Sequence, residues 1–132
     1  MKKILILTHG YWGKYLIESA KMIVGDTSNI ESLPLLPHET LEEYEKKVKD
    51  KMEECNNEIL FLTDIAGGTT TNVAMKLAYP LHLKVLSGLS APLLFEVINA
   101  GEELEKEEII QEVIQEAREN CKDVLKSLLN KN

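Results

Sequence analysis

Four short aliphatic runs, separated by segments of helical periodicity, limit the folds open to this chain more than any other feature. The runs Ile4–Leu7 and Ile59–Leu62 are apolar on both faces, which is typical of strands buried in the centre of a parallel sheet. Weaker runs lie around 29–35 and 83–87. The sequence therefore predicts four strands, over residues 2–8, 29–35, 58–63 and 83–87.

Helices are predicted between and after these strands. Apolar residues recur at helical spacing from Leu16 to Val24, and Gly25 then ends the pattern. Thr40 and Glu43 have the spacing of a capping box. Further helices are predicted from Thr40 to about residue 54, over 73–78, after Pro92 to about residue 99, and from 104 onward. This alternation predicts an α/β fold, a doubly wound and mostly parallel sheet with helices on both faces, in one domain over residues 1–132.

Composition and charge exclude several classes of function. The 132 residues carry a net charge of −7, so nucleic acid is not an expected partner. No apolar run approaches the roughly 20 residues that cross a bilayer, and the N-terminus lacks the zones of a signal peptide. Cys55 and Cys121 match no metal or redox spacing. We expect a cytoplasmic protein with free thiols, no membrane insertion, no metal and no cofactor.

Three loops follow the predicted strands at their carboxyl ends, the edge where open α/β sheets bind ligands. They are Thr8–Gly10, Asp64–Asn72 and Ser87–Pro92. Of the three histidines, only His9 ends a central strand. His38 is expected in an exposed turn, and His82 at the opposite end of a strand. The sequence predicts that the three loops converge on one crevice that contains His9.

His9 and Asp64 are the candidate catalytic residues, because each ends a central strand. A carboxylate that accepts the Nδ1–H bond fixes the imidazole tautomer and leaves Nε2 free to attack. The same carboxylate stabilises positive charge on the ring as a bond to phosphorus forms. A histidine at a strand end can also simply fill the crevice, and it is the neighbouring Gly10 and Asp64 that favour a functional role.

The stretch "GGTTTN" offers a phosphate site. Gly67 and Gly68 lead into a predicted helix, whose first N–H groups and positive dipole end suit a phosphoryl group. Thr69, Thr70 and Thr71 offer hydroxyl donors beside it. The same residues also form ordinary loops and N-caps. The stretch is neither a Walker A loop nor a dinucleotide fingerprint. The sequence therefore indicates a protein that carries phosphate rather than one that takes it from ATP.

Three stretches, "ILILTHG", "LFLTDIAGGTTTN" and "VLSGLSAPLLFEVI", resemble the IIA component of the mannose/fructose/sorbose family of the bacterial phosphotransferase system (PTS). The similarity covers nearly the whole chain, with the motifs in matching order and spacing. It implies a phosphotransferase with a phosphohistidine intermediate, which accepts phosphate from HPr and passes it to a IIB protein. IIB then phosphorylates sugar during transport through the membrane components IIC and IID.

Carried over residue by residue, the resemblance implies that His9 is phosphorylated at Nε2 and that Asp64 is its Nδ1 partner. Gly67, Gly68 and Thr69 would hold the phosphoryl group. Thr70-Thr71 departs from the Pro-Phe pair that is common in the family. Because the chain contains one domain, IIB is expected to be a separate protein.

Four other interpretations remain open. A receiver domain would need an acidic pair where Thr8 and His9 stand, and a histidine phosphatase would need Arg in place of Thr8. The phosphocarrier subunit of phosphoenolpyruvate-dependent dihydroxyacetone kinase resembles the same fold and uses a comparable histidine. It typically lacks the Asp-x-x-Gly-Gly loop, so that loop favours sugar transport. A binding module without catalysis is the fourth alternative.

The C-terminal segment has two competing predictions. Apolar residues keep helical spacing from Leu104 to Leu128, which predicts one amphipathic helix over 104–129. The resemblance instead implies that the final segment, "CKDVLKSLL", forms an antiparallel edge strand exchanged with a partner subunit. Either arrangement leaves an apolar stripe that one copy cannot cover well, so we expect a homodimer.

Overall fold

The structure of the protein is a computed structural model that describes residues 2–130. Its strands are β1 (Lys3–His9), β2 (Ile30–Leu35), β3 (Ile59–Thr63) and β4 (Val85–Leu86). Its α-helices are α1 (Trp12–Val24), α2 (Leu41–Glu54), α3 (Thr69–Ala78), α4 (Ala91–Ala100), α5 (Glu107–Glu119) and α6 (Val124–Leu129). The chain divides into two compact units, the first ending at Leu89 and the second beginning at Ser90. Within residues 2–130, no helix is both long enough and apolar enough to cross a bilayer.

The four strands form one parallel sheet in the order β2-β1-β3-β4. Leu7 of β1 pairs with Leu33 on one side and with Thr63 on the other, so β1 and β3 end next to each other. Every residue of β3 is buried, as its unbroken apolar run predicts. The predicted α/β fold with a parallel sheet is confirmed, although β4 is shorter than the predicted range 83–87.

Helices of the first unit lie on both faces of the sheet. On one face, α2 and α3 pack onto a core that includes Leu5 and Leu7. Successive side chains of a strand point to opposite faces, so Ile6 and Thr8 point to the other face, where α1 lies. A Cβ atom on Gly13 of α1 would lie 2.9 Å from methyl groups of both Ile6 and Thr8. Only glycine therefore allows α1 to approach β1 this closely.

Side-chain hydrogen bonds fix the start of α2. Thr40 accepts a bond from the Glu43 amide, and the Glu43 carboxylate accepts one from the Thr40 amide, so the predicted capping box is confirmed. One turn later, the buried Tyr44 hydroxyl donates to the Leu33 carbonyl at 2.6 Å. Burial, together with the charge of nearby carboxylates, raises the pKa of Tyr44 far above its usual value. The phenol therefore remains a donor that ties α2 to β2.

The second unit consists of helices. The Ser90 hydroxyl caps α4 by accepting from the Leu93 amide at 3.2 Å. α4 packs against α5, which buries Val97, Ile110 and Val113. A short 3₁₀ helix over Gly101–Glu105 separates the two helices. The last long helix therefore begins at Glu107 and not near Leu104 as the periodicity predicts.

The C-terminal segment differs from both predictions. The continuous helix over 104–129 is wrong, because α5 ends at Glu119 and a separate helix, α6, begins at Val124. Asn120 and Asp123 cause the break, since both side chains bond to nearby backbone: Asn120 donates to a carbonyl of α5, and Asp123 accepts from the Lys126 amide as the cap of α6. The predicted edge strand is not seen either. A strand needs a neighbouring strand, whereas α6 satisfies its backbone locally.

Candidate active site

His9 is the last residue of β1 and stands at the carboxyl edge of the sheet. Gly10 follows it with φ of +72°, a conformation that turns the chain towards α1 and that glycine adopts without strain. The Gly10 amide donates to the Leu35 carbonyl at 2.9 Å, and the Thr8 hydroxyl donates to the Gly10 carbonyl at 2.8 Å. The turn thus holds the backbone of His9 while 46% of its side chain stays exposed.

Asp64 follows β3 directly and faces His9 from the neighbouring strand. Its Oδ2 atom lies 2.8 Å from the Nδ1 atom of His9 and also accepts the backbone N–H of His9 at 2.8 Å. Its Oδ1 atom accepts from the Thr70 hydroxyl at 2.6 Å and from the Ile65 amide at 3.0 Å. These four donors fill the roughly four acceptor positions of a carboxylate. The structure thus brings the two sequence-predicted residues into contact and fixes the carboxylate in place.

The ionisation of Asp64 determines the tautomer of His9. Burial of the carboxyl group acts to raise its pKa, but the hydrogen bonds from Thr70 and from the backbone and ring of His9 outweigh burial and lower the pKa below its usual value. Asp64 is therefore ionised at neutral pH and can only accept hydrogen bonds. The shared proton must then reside on Nδ1 of His9. In the neutral ring, Nε2 carries a free lone pair.

The loop from Asp64 to α3 brings backbone against the imidazole ring. Gly67 has φ of +84°, and a Cβ atom on Gly68 would lie 3.3 Å from the Cε1 atom of His9. α3 begins at Thr69, with Gly68 as its N-cap and no acidic residue in the first turn. The N-terminus of a ten-residue helix, with its first amides and its positive dipole end, therefore lies beside the ring of His9.

The three consecutive threonines differ in exposure and in the hydrogen bonds of their hydroxyls. Thr69 is exposed, and within residues 2–130 its hydroxyl makes no hydrogen bond, which leaves it available at the crevice. Thr70 and Thr71 are buried, and their hydroxyls point into the loop. The sequence predicts all three hydroxyls as donors to a phosphoryl group, which is wrong for Thr70 and Thr71, because their hydroxyls bond to Asp64 and to the loop backbone instead. The run "TTT" at a helix start was the available signal, but which hydroxyls point inward depends on the path of the loop.

In the part of the chain that the structure describes, none of the remaining candidates bonds to the His9 side chain. His38 and His82 are exposed, and His82 has φ of +54° at the end of the 3₁₀ helix that follows α3. Cys55 and Cys121 are free thiols, as predicted. Among the described residues, no three His, Cys, Asp or Glu side chains cluster as metal ligands. In the third predicted loop, the Leu89 amide donates to the carbonyl of Thr63 at 3.0 Å, and Thr63 is the residue before Asp64.

Large exposed apolar side chains lie close in sequence to His9 and Asp64. Tyr11 is 50% exposed, and Trp12 and Tyr15 at the start of α1 are similarly exposed. Ile65, the neighbour of Asp64, is 61% exposed. We call these four residues the apolar rim. Single exposed apolar residues are ordinary, but these four lie close in sequence to His9 and Asp64, and groups of exposed apolar residues are typical of interaction surfaces.

Comparison with known proteins identifies relatives along most of the chain. Residues 3–114 match the family model described as the PTS system fructose IIA component. The chain belongs to this family. The PTS system fructose-specific EIIA component of Bacillus subtilis (strain 168) is 33% identical over 115 residues, which cover 83% of this chain and 77% of that relative.

Two further relatives extend this assignment as a PTS IIA component. The PTS system mannose-specific EIIAB component of Escherichia coli (strain K12) is 27% identical over 123 residues, or 90% of this chain but only 38% of the relative's length. The solved structure of the PTS IIA protein associated with the fucose utilization operon from Streptococcus pneumoniae matches with a TM-score of 0.85 and 28% identity, covering 96% of each chain. The predicted membership of the mannose/fructose/sorbose IIA family is confirmed.

Proposed function

We propose that this IIA component is a phosphocarrier that accepts a phosphoryl group from phosphorylated HPr on His9 and passes it to a IIB component. The observation that carries the proposal is the bond of 2.8 Å between Nδ1 of His9 and the carboxylate of Asp64, whose side chain is only 2% exposed. The other ring nitrogen, Nε2, makes no hydrogen bond within residues 2–130, and 46% of the His9 side chain is exposed. Membership of the PTS IIA family supports the same role.

The transfer step follows from the tautomer. The Nε2 lone pair of His9 forms a bond to phosphorus while the bond from phosphorus to the donor histidine nitrogen breaks, and the electron pair of that bond returns to the donor. The proton on Nδ1 stays in place, so the ring gains positive charge. The ionised Asp64 beside Nδ1 stabilises that charge. Delivery to IIB is the same step in reverse, with a nucleophile of IIB as acceptor.

The start of α3 is the proposed phosphate-binding element. A phosphoryl group on Nε2 of His9 brings negative charge next to Gly68, since a Cβ at that residue would lie 3.3 Å from the ring. The free amides of the first turn of α3 and the exposed Thr69 hydroxyl are suitable donors. Gly67 and Gly68 keep side chains away from the phosphate. A helix N-terminus favours the phosphorylated state without fixing it irreversibly.

The apolar rim is the proposed contact surface for HPr and for IIB. Transfer between histidines of two proteins requires the two nitrogens to approach one phosphorus atom, so the surfaces around them must touch. On this chain, that contact buries Tyr11, Trp12, Tyr15 and Ile65. Because donor and acceptor use the same nitrogen, they bind in turn. The components IIC and IID act only indirectly, through IIB, and the proposed location is the cytoplasm.

The second unit offers a surface for a second copy. Val124, Leu125, Leu128 and Leu129 of α6 are each more than 60% exposed, and six residues cannot bury such a face alone. We infer a homodimer that covers α6. Light scattering at micromolar concentration should give twice the mass of 14.9 kDa, and a chain cut after Asn120 should give the monomer mass. A monomeric full-length chain, or a dimer that survives the cut, contradicts this inference.

A reconstituted transfer assay tests the proposed carrier function. Enzyme I, HPr and labelled phosphoenolpyruvate should place one acid-labile and alkali-stable phosphate on the chain. His9→Ala should take up none, whereas the matched variants His38→Ala and His82→Ala should be labelled normally. EDTA added after the donor has been freed of enzyme I should not inhibit. Label that persists in His9→Ala contradicts the proposal, as does a wild-type chain that takes up no label.

The acceptor distinguishes sugar transport from the closest alternative. A labelled chain should lose its phosphate to a IIB protein of the mannose/fructose/sorbose class. It should not lose phosphate to the nucleotide-binding subunit of a dihydroxyacetone kinase. The two family relatives named for fructose and mannose favour IIB as the acceptor. Transfer only to the kinase subunit would show that the chain serves dihydroxyacetone kinase and not sugar transport.

A further inference from the structure

The loop after β3 is closed by a set of hydroxyl bonds whose directions can be assigned. The Thr71 hydroxyl lies 2.6 Å from the Ile65 carbonyl and 2.7 Å from the Thr63 hydroxyl. A carbonyl can only accept, so the single Thr71 proton goes to Ile65. Thr63 must then donate to Thr71. We call these two bonds the threonine latch, because they connect the end of β3 with the start of α3.

The Thr70 hydroxyl is separate from the threonine latch. It is completely buried and donates to Oδ1 of Asp64 at 2.6 Å. Asp64 is acceptor-only when ionised, so this direction is fixed as well. The opposite carboxylate oxygen, Oδ2, is the one that bonds Nδ1 of His9. Thr70 therefore touches neither His9 nor the position of a phosphoryl group on Nε2, but it holds the group that orients the ring.

Without the Thr70 hydroxyl, Oδ1 would keep only the amide of the adjacent Ile65. That bond spans a single residue and cannot by itself define the plane of the carboxylate. Oδ2 would keep its two bonds from His9, but the carboxylate would be held less firmly against rotation about its Cβ–Cγ bond. A short bond from a buried hydroxyl to a charged acceptor is among the stronger hydrogen bonds in proteins. Its loss would therefore leave the carboxylate less able to orient the His9 ring.

We propose that Thr70 is a positioning residue for phosphoryl transfer, acting on His9 through Asp64, in a role that rests on the phosphocarrier function proposed above. It fixes Oδ1 so that Oδ2 faces Nδ1. It also donates to the ionised form of the carboxylate, so that Asp64 remains charged when the ring becomes positive. The threonine latch closes the loop, and Thr70 sets the electrostatics of the pair.

Three variants separate positioning from loop structure. Thr70→Val removes the hydroxyl at almost constant volume, Thr70→Ser keeps a hydroxyl, and Thr71→Val breaks the threonine latch without contacting Asp64. We expect Thr70→Val to take up phosphate from phosphorylated HPr roughly tenfold more slowly, the effect of losing part of one charged hydrogen bond. Thr70→Ser should restore the rate, and Thr71→Val should lose thermal stability while transferring at close to the wild-type rate.

A second readout does not depend on transfer. In ¹³C-labelled protein, the carboxyl resonance of Asp64 should titrate at higher pH in Thr70→Val than in wild type, and at its wild-type position in Thr71→Val. If Thr70→Val does not fold, Thr70→Ala removes the same hydroxyl with less crowding and takes its place. An Asp64 titration that does not move overturns the proposal even if the chain is no phosphocarrier. Equal transfer losses in Thr70→Val and Thr71→Val, with the chain folded, overturn it as well.

Discussion

The turn after β1 and the loop after β3 form the two halves of the site and are built in opposite ways. The first presents His9 with 46% of its side chain exposed, whereas the second keeps the Asp64 side chain 2% exposed. Within residues 2–130, the His9 side chain has one hydrogen-bond partner, while Asp64 accepts four hydrogen bonds. Under the proposed function, the half that gains and loses phosphate must be reachable by partners. The half that must keep its charge is immobilised. The side-chain bond that orients the His9 ring therefore comes from the loop after β3, which the first turn of α3 holds in place.

The largest effect is expected when the charge of the buried half is removed. Asp64→Asn should slow phosphoryl uptake by roughly 10²- to 10⁴-fold, since losing the aspartate of a triad costs about 10⁴ in a closed active site and His9 is more exposed. The control is Asp50→Asn, which removes an exposed carboxylate paired with Lys46 and should not change the rate. Stopped-flow or quenched-label kinetics give both values. Equal rates for the two variants would show that Asp64 does not orient the ring.

A smaller effect is expected where the two halves touch. In Gly68→Ala, the new Cβ would lie 3.3 Å from Cε1 of His9 and 3.3 Å from the Ile65 carbonyl oxygen, so the ring must shift by a few tenths of an ångström. We expect transfer to fall about tenfold, because a misplacement of ~1 Å can cost 10²-fold.

The matched control for that substitution is its neighbour. Gly67→Ala meets no atom within 4 Å but keeps φ of +84°, so it should cost roughly 1 kcal/mol of stability with little change in transfer by the folded protein. The reverse pattern, with slow transfer in Gly67→Ala and normal transfer in Gly68→Ala, would mean that contact with the ring is unimportant.

The smallest expected effect concerns the pH dependence of stability. Folding lowers the pKa of Asp64 below its ordinary value of 3.8, so its ionised form contributes stability that is present above that pH and is lost as pH falls through the folded pKa. The free energy of unfolding of wild type minus that of Asp64→Asn should therefore shrink as the pH falls below 3.8. Urea unfolding at several pH values measures it. A difference that does not change with pH would argue against an ionised, hydrogen-bonded carboxylate.

The two halves of the site also differ in how far the sequence predicts them. Strands buried on both faces predict a parallel sheet, and parallel strands bring their carboxyl ends to one edge, so the proximity of His9 and Asp64 follows from two local patterns. The bond from Thr70 to Asp64 does not follow, because three identical side chains in a row carry no information on which hydroxyl points inward. That direction depends on the turn at Gly67 and on where α3 begins.

In the C-terminal segment, by contrast, a clear sequence pattern predicts the wrong helix boundary. Helical spacing of apolar residues continues past residue 120, yet the helix ends there. Periodicity records only which faces are apolar, whereas Asn120 and Asp123 bond to nearby backbone and act as caps. The polar residues between the apolar positions therefore determine where α5 ends and α6 begins.

The most direct test of the whole account is the site of phosphorylation on the ring of His9. The chain would be labelled with ¹⁵N at histidine, phosphorylated through HPr and examined by ¹⁵N-correlated NMR of the imidazole nitrogens. The Nδ1 atom of His9 donates its proton to the Oδ2 atom of Asp64, and the two atoms are 2.8 Å apart. We therefore predict that phosphorus is attached to Nε2 and that Nδ1 keeps its proton. Attachment to Nδ1, or to a ring other than that of His9, would contradict the account.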